Sequence, residues 1–486
     1  MKSTIEHKEV DKIVQDLHFI MTCFQEVLLS LGEDELAHQL PWVNEVFEIT
    51  GLADDQETKL IQALSISFQL LNMVEENVAV QYKRQVENEQ GIAAIRGSWG
   101  ETFDRWKQQG RTEEEMAAIF PKLRIQPVLT AHPTEAMRVT VLELHRELYL
   151  LLVKNENTTW SDTERSQIRE SIKALLERLW RTGEVYLEKP DLYDERNNVL
   201  HYFSHVFPQA LQESDRRLRG SWIAMGFAAK HLSEPEQFPI LEFGSWVGGD
   251  RDGHPYVTAE FTESTLRKHR EVALQLLQQG LLKLAASLSM SDVHQVTPPA
   301  LEDAIQRIAK ALGDKGVRAL ARNPRSPYRQ YVNLMIARLN NTQTNATTEV
   351  ECYYPNAEAL QADMKLLRQS IQEIGAQRIA QDLLFDVERQ VRCFGFHLVK
   401  LDIRQNSAYH EKAISQILQA AGFKDFDFAN WDMDKRFKFI NEELQSKRPF
   451  LVQGDSCGPE ADKVLAYYHV LRRHVQRYGT DGIGSI

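Results

Sequence analysis

Three short apolar stretches, residues 124–131 (RIQPVLTA), 240–249 (ILEFGSWVGG) and 394–404 (FGFHLVKLDIR), interrupt a chain whose hydrophobic pattern is otherwise helical. They read as strands, and each runs into polar residues able to do chemistry. In the third, alternation sorts Val399, Leu401 and Ile403 to one face and Lys400, Asp402 and Arg404 to the other, because successive strand side chains point opposite ways. One face is apolar, the other ionic. A strand with helices outside it and charge inside it is what a parallel α/β barrel uses near its ligand, at the carboxyl ends of its strands. Taken alone, the same strand would serve equally as an edge strand with one wet face.

Around these strands the apolar period is that of helices. Ile13, Leu17, Ile20, Phe24, Val27 and Leu31 recur at spacings of four and three, the stripe of one buried helix face. Val141, Leu144, Leu148 and Leu151 mark a helix over about 136–154, and Leu266, Ala273, Leu277, Leu281, Leu284 and Leu288 mark another. Helical pattern continues at 300–312, 326–340, 357–391, 409–420 and 458–477, whereas 341–350 (NTQTNATTEV) is polar and predicts an exposed loop. Glycine and proline number 24 and 16 in 486 residues, below their usual share of roughly 12%. That scarcity favours long helices over a turn-dense all-β fold.

Lysine and arginine total 57 against 69 aspartates and glutamates, a net charge of −12. An acidic chain lacks a general grip on the phosphate backbone, so no nucleic-acid partner is expected and any anionic ligand must find a local basic pocket. Cys23, Cys352, Cys393 and Cys457 form no CxxC pair and no metal-finger spacing, which points to reduced thiols in the cytoplasm. The opening MKSTIEHKEVDK has no apolar signal core, and no uncharged run approaches the roughly 18 residues of a membrane span. A soluble, unexported protein without a membrane partner is the expectation.

Three motifs carry chemistry. In VLTAHPTEAMR, Val128 to Arg138, a strand ends in His132, which Pro133 biases to an extended backbone. An imidazole suits proton transfer near neutrality and Arg138 adds positive charge, although a lone histidine is more often a structural residue. In FGSWVGGDRDGHPYVT, Phe243 to Thr258, two glycines permit a tight turn and a close backbone approach before Asp250, Arg251 and Asp252. The EF-hand spacing fails here, because glycine stands fourth and Pro255 sixth; a P-loop fails because His254 and Pro255 replace its lysine and hydroxyl residue. A structural Asp/Arg clamp remains open. In LDIRQNS, Arg404 offers a planar fork of donors to phosphate or carboxylate oxygens, with an internal ion pair to Asp402 as the competing reading. Signatures of zinc proteases, serine hydrolases and dinucleotide binding (HExxH, GxSxG, SxxK, GxGxxG) do not occur.

In this order and at comparable separations, the three motifs resemble the amino-terminal half of bacterial-type phosphoenolpyruvate carboxylase. Weaker agreement at Leu179-Trp180-Arg181-Thr182-Gly183-Glu184, Ser326-Pro327-Tyr328-Arg329 and Ser446-Lys447-Arg448-Pro449 extends the likeness over nearly the whole chain. The resemblance implies a helix-rich α/β protein with a TIM-type (β/α) barrel of the phosphoenolpyruvate/pyruvate class. It also implies a cytoplasmic homotetramer requiring Mg2+ or Mn2+. The implied reaction joins phosphoenolpyruvate and bicarbonate to give oxaloacetate and phosphate, an anaplerotic supply to the tricarboxylic acid cycle. Bicarbonate attacks the phosphoryl group, and the resulting carboxyphosphate yields CO2, which the enolate of pyruvate captures. On this likeness His132 takes the proton from carboxyphosphate, Arg404 binds the anionic substrate, and Arg251 is a further anion contact. A pocket of fixed cations that excludes water meets the needs of such chemistry.

The sequence departs from the family at Val139, where a second basic residue is usual, and at His254, where asparagine is common. Relatives are about twice as long. Their carboxyl-terminal half carries the acidic metal ligands, a catalytic lysine in a YSDS-type motif and a glycine-rich HGRGG loop, none of which occurs here. Residues 1–120 are expected to form a helical region, and 121–486 the early strands and helices of a barrel that this chain does not complete. A truncated or split chain is the expectation, inactive alone and able to work with a separate carboxyl-terminal half. Two other readings stand beside it, a non-catalytic helical binding or assembly protein derived from the same scaffold and a different enzyme of phosphorylated acids.

Overall fold

The structure, a computed structural model, describes residues 2–43, 54–130, 139–183, 191–252, 256–345, 349–447, 454 and 456–486. The chain divides into two units, one built from residues 1–111, 132–191 and 220–227, the other from 112–131, 192–219 and 228–486.

The first unit is helical. Helices Lys2–Ser30, Asp54–Gln90, Val139–Asn155 and Asp162–Thr182 bury one stripe each. Leu17, Ile20, Phe24 and Val27 from the first helix meet Ile66 and Leu70 from the second and Ile172 and Leu176 from the fourth, as the spacing of four and three requires. The fourth helix starts on a capping box. Ser161 accepts from the Glu164 amide while Glu164 accepts from the Ser161 amide, and Gly183, at φ 72°, ends the helix.

The second unit holds every strand among the described residues, and the larger core. Helix Ala259–Ser287 packs on helices Pro327–Thr344, Leu383–Phe394 and Pro459–Tyr478. Its expected inner residues, Leu266, Ala273, Leu277, Leu281, Leu284 and Leu288, are all buried. The strands are short: β1 (Arg124–Ile125), β2 (Val128–Leu129), β3 (Ile240–Leu241), β4 (Gly244–Ser245) and β5 (Lys400–Leu401). β1 pairs with β3, and β2, β4 and β5 form a three-stranded sheet in that order; every pairing is parallel. A fourth parallel segment follows β5, with the Leu401 amide donating to Gly482 O at 3.1 Å and the Ile403 amide to Ser485 O at 2.8 Å. This is a helix-rich α/β fold with two small parallel sheets, and no closed barrel forms among the described residues.

Three expectations need correction. The third strand does not begin at 394: helix Leu383–Phe394 runs through that position, and Leu398, at φ 66°, turns the chain before β5 starts at Lys400. The helical stretch 357–391 is three helices, Ala357–Glu373, the short Gln377–Ala380 and Leu383–Phe394, the first break lying at Gly375 with φ 78°. The polar run 341–350 does not begin as an exposed loop. Helix Pro327–Thr344 continues into it, burying Asn341 and Thr342, because their side chains serve backbone groups across the turn: Asn341 donates to Cys352 O and the Tyr354 amide donates to the Thr342 hydroxyl, each at 2.7 Å.

Buried arginines fix the approach to β3. Arg389 donates through Nε and Nη2 to the two oxygens of Asp215 at 2.7 and 3.1 Å, and through Nη2 to Pro239 O at 2.6 Å, just before the strand. Arg368 reaches Glu234, Glu236 and Glu388. Burial, outweighing its arginine partner, pushes the Glu388 carboxyl up to about 8. No helix among the described residues is long and apolar enough to cross a membrane.

Candidate anion site at the carboxyl ends of the strands

The parallel register brings the second and third motifs side by side. Lys400 N donates to Phe243 O at 2.8 Å and Asp402 N to Ser245 O at 2.9 Å, so the segment after β4 runs beside the segment after β5. Trp246 O then accepts from both the Gly249 and Asp250 amides at 2.9 Å, which folds the chain into a tight turn. Gly248 needs its φ of 91° there, and a Cβ on Gly249 would lie 1.9 Å from Asp402 O. With both glycines in place, Arg404 N donates to Gly249 O and Arg251 N donates to Arg404 O, each at 2.9 Å.

The two arginines play different parts. Arg404 is exposed, and its guanidinium lies 3.9 Å from the centre of the Trp246 ring. Asp402, the carboxylate that could have neutralised it, is buried instead; it accepts from Trp246 Nε1 at 3.0 Å and from the Ser485 amide at 2.9 Å. Arg404 thus makes no ion pair among the described residues. Arg251 turns inward. It donates to Gly249 O at 3.1 Å and to the Thr262 hydroxyl, and it stacks over Tyr467 at 4.4 Å. Thr262 in turn donates to Gly248 O at 2.7 Å, so Arg251 and Thr262 clamp the glycine turn to helix Ala259–Ser287. Burial lowers the Arg251 pKa from its ordinary value, yet an arginine remains charged.

Beyond this clamp lies a cavity of about 770 Å³, walled by Arg251, Thr258, Asn406, Tyr409, Lys412 and Tyr467. Thr258 and Asn406 cap the helices that start there, Ala259–Ser287 and Ser407–Ala420. His132 and Arg138 lie outside the described residues, as does His254; the strand preceding His132 ends at Leu129, paired with Ser245.

Among the described residues, no ligand set for a divalent ion lies at these strand ends. The described residues that bring three ligand atoms together are Glu113, Glu114 and His231, on helix Glu113–Ala117 and the turn Ala229–Leu232. There Glu113 already accepts from the Ala228 amide at 3.1 Å and faces His231 Nε2 at 3.3 Å. At the strand ends Asp250 accepts from the Asp252 amide at 3.2 Å, an internal turn bond.

Residue type and alternation pointed to Arg404, and the glycine pair to the turn. Trp246 and Tyr467, the aromatic supports of the two guanidiniums, were not singled out. Trp246 had a signal in its place beside the glycines, whereas Tyr467 sits mid-helix with none.

The chain matches the family model for phosphoenolpyruvate carboxylase over residues 2–486. A phosphoenolpyruvate carboxylase of Methylorubrum extorquens is 32% identical over 370 residues, which cover 76% of this chain and 40% of the relative. Those of Rhodopseudomonas palustris and Aromatoleum aromaticum are 29% and 30% identical over 449 residues, covering 90% of this chain and 46% and 48% of theirs. The chain spans less than half the length of these curated relatives. With the family model matched from residue 2 to residue 486, the chain belongs to the phosphoenolpyruvate carboxylase family.

Proposed function

We propose that this chain supplies the amino-terminal part of a phosphoenolpyruvate carboxylase, which joins phosphoenolpyruvate and bicarbonate into oxaloacetate and phosphate. The observation that carries the reading is the mutual backbone pairing of Arg404 with Gly249 and Arg251, which sets a guanidinium with unengaged donors at the carboxyl ends of parallel strands. Arg404 is assigned to the phosphate or carboxylate of phosphoenolpyruvate, where a planar fork binds two oxygens at once. Arg251, held by Gly249 and Thr262, is assigned as a positioning residue that also makes the adjoining cavity positive. His132 is assigned as the base. Bicarbonate oxygen bonds to phosphorus as the bond to the enol oxygen breaks. His132 then takes the carboxyl proton of carboxyphosphate, CO2 and phosphate separate, and the enolate carbon bonds to CO2.

Mg2+ or Mn2+ would reach this centre on carboxylates from the half of the relatives' length that the chain does not match. That half would also complete the barrel begun within residues 121–486, pair its open strand edge and assemble the cytoplasmic homotetramer. Residues 1–120 would remain a helical support.

Complementation tests the reading. The purified chain is mixed or co-expressed with the carboxyl-terminal half of the Methylorubrum relative, and oxaloacetate is followed by coupled reduction to malate. Bicarbonate- and metal-dependent product, absent from either part alone and lost on His132→Asn, is expected. Failure with a carboxyl half that does complement its own amino-terminal half overturns it.

A further inference from the structure

At the opposite ends of the same strands, Arg124, Ile240 and Lys400, the first residues of β1, β3 and β5, open onto a second cavity of about 360 Å³. Its remaining wall includes Arg392, in the last turn of helix Leu383–Phe394. One carboxylate here serves two cations: Glu242 accepts from Arg124 Nη1 and from Lys400 Nζ, each at 2.8 Å. Arg392 makes no hydrogen bond or ion pair among the described residues, and its Nε is buried without a partner.

That last fact sets Arg392 apart from its neighbours. Arg389, one turn earlier on the same helix, is matched by both oxygens of Asp215, and Arg368 by Glu388 and two further glutamates. These two buried guanidiniums are provided with acceptors, as burial of a strong donor requires. Arg392 faces a cavity where an acceptor is missing. Burial lowers its pKa, in keeping with a cation held out of water.

We propose that this cavity binds a small oxyanion, a carboxylate or phosphate group, with Arg392 donating to it in bidentate fashion and Arg124 and Lys400 supplying further charge. The volume admits on the order of ten non-hydrogen atoms at the roughly 30 Å³ that a liquid water occupies. Glu358 and Asp481, exposed and also lining the cavity, disfavour a ligand charged along its whole length and leave the anionic head to Arg392. The ligand enters at the amino-terminal ends of the strands, so its binding is independent of Arg404 and of the reading given to that residue.

Isothermal titration of the purified chain at constant ionic strength, with inorganic phosphate in one arm and succinate in the other, tests the proposal and separates the two head groups. Saturable binding of either probe, weakened at least tenfold by Arg392→Gln and partly restored by Arg392→Lys, is expected. Should Arg392→Gln fail to fold, Arg124→Gln carries the test, since that side chain is 64% exposed; at least threefold weaker binding is then expected. No saturable binding of either probe, or binding that neither Arg392→Gln nor Arg124→Gln weakens, overturns the proposal.

Discussion

Arg251 N donates to Arg404 O at 2.9 Å, although 153 positions separate the two residues in the sequence. Together with the bond from Arg404 N to Gly249 O, this closes a short parallel ladder that continues β4 and β5 beyond their last sheet residues. The ladder places one guanidinium outward and the other inward.

Gly249→Ala should break that ladder. The added methyl would meet Asp402 O at 1.9 Å, and a backbone atom in a sheet has little room to retreat. A loss of at least about 2 kcal/mol in denaturant unfolding is expected. Gly220→Ala provides the contrast: it sits in helix Phe207–Ala224 with nothing near the new methyl and should gain about 0.5–1 kcal/mol. Equal effects at the two sites would contradict the close approach.

Arg404→Gln should separate binding from folding. The side chain contributes an exposed cation–π contact to Trp246, so unfolding should change by under about 1 kcal/mol. In the complemented enzyme, removal of a charged donor at the substrate should cost about 100-fold or more in turnover. A large stability loss would assign Arg404 to the scaffold.

The Arg389–Asp215 pair is expected to specify more than it stabilises. Burial raises the Asp215 pKa despite its arginine partner, so desolvation outweighs the pairing. Arg389→Met, which strands the aspartate, should cost about 3–5 kcal/mol, and the double change with Asp215→Leu should recover most of it. A double mutant as unstable as the single, read from chemical unfolding curves, would refute this account.

Acid should act through buried histidines. Burial, with the neighbouring Arg196 and His474, lowers His269 to about 3, so the folded chain excludes a proton that the unfolded chain binds near pH 6.5. Its stability contribution is complete above that pH and is lost as pH falls. Relative to His269→Leu, the native chain should lose about 1.4 kcal/mol per pH unit between pH 6 and 4. Comparison with the variant is required because Glu388, pushed up to about 8, takes up a proton on folding and opposes the trend. A pH-independent difference would rule out a neutral buried imidazole.

Much of this was legible along the chain. The helix faces of 13–31 and of Leu266 to Leu288 were readable because burial repeats with the helical turn, a property of neighbours three and four residues apart. The glycine pair and the arginine of the third strand were readable because their residue types are tied to backbone conformation and to anion chemistry. The first residues of the polar run at 341 were misread, since a buried asparagine or threonine looks like a surface one until its distant partner is known.

The amino-acid order by itself therefore determined family, helical period and the chemistry available at each motif. Tertiary structure alone decided which cation keeps its donors. Alternation put Asp402 and Arg404 on one strand face, but Trp246 and Ser485, brought in from far along the chain, took the carboxylate and left the guanidinium without an ionic partner among the described residues. Hydrogen-bond competition among side chains is settled by three-dimensional proximity, which local spacing does not encode.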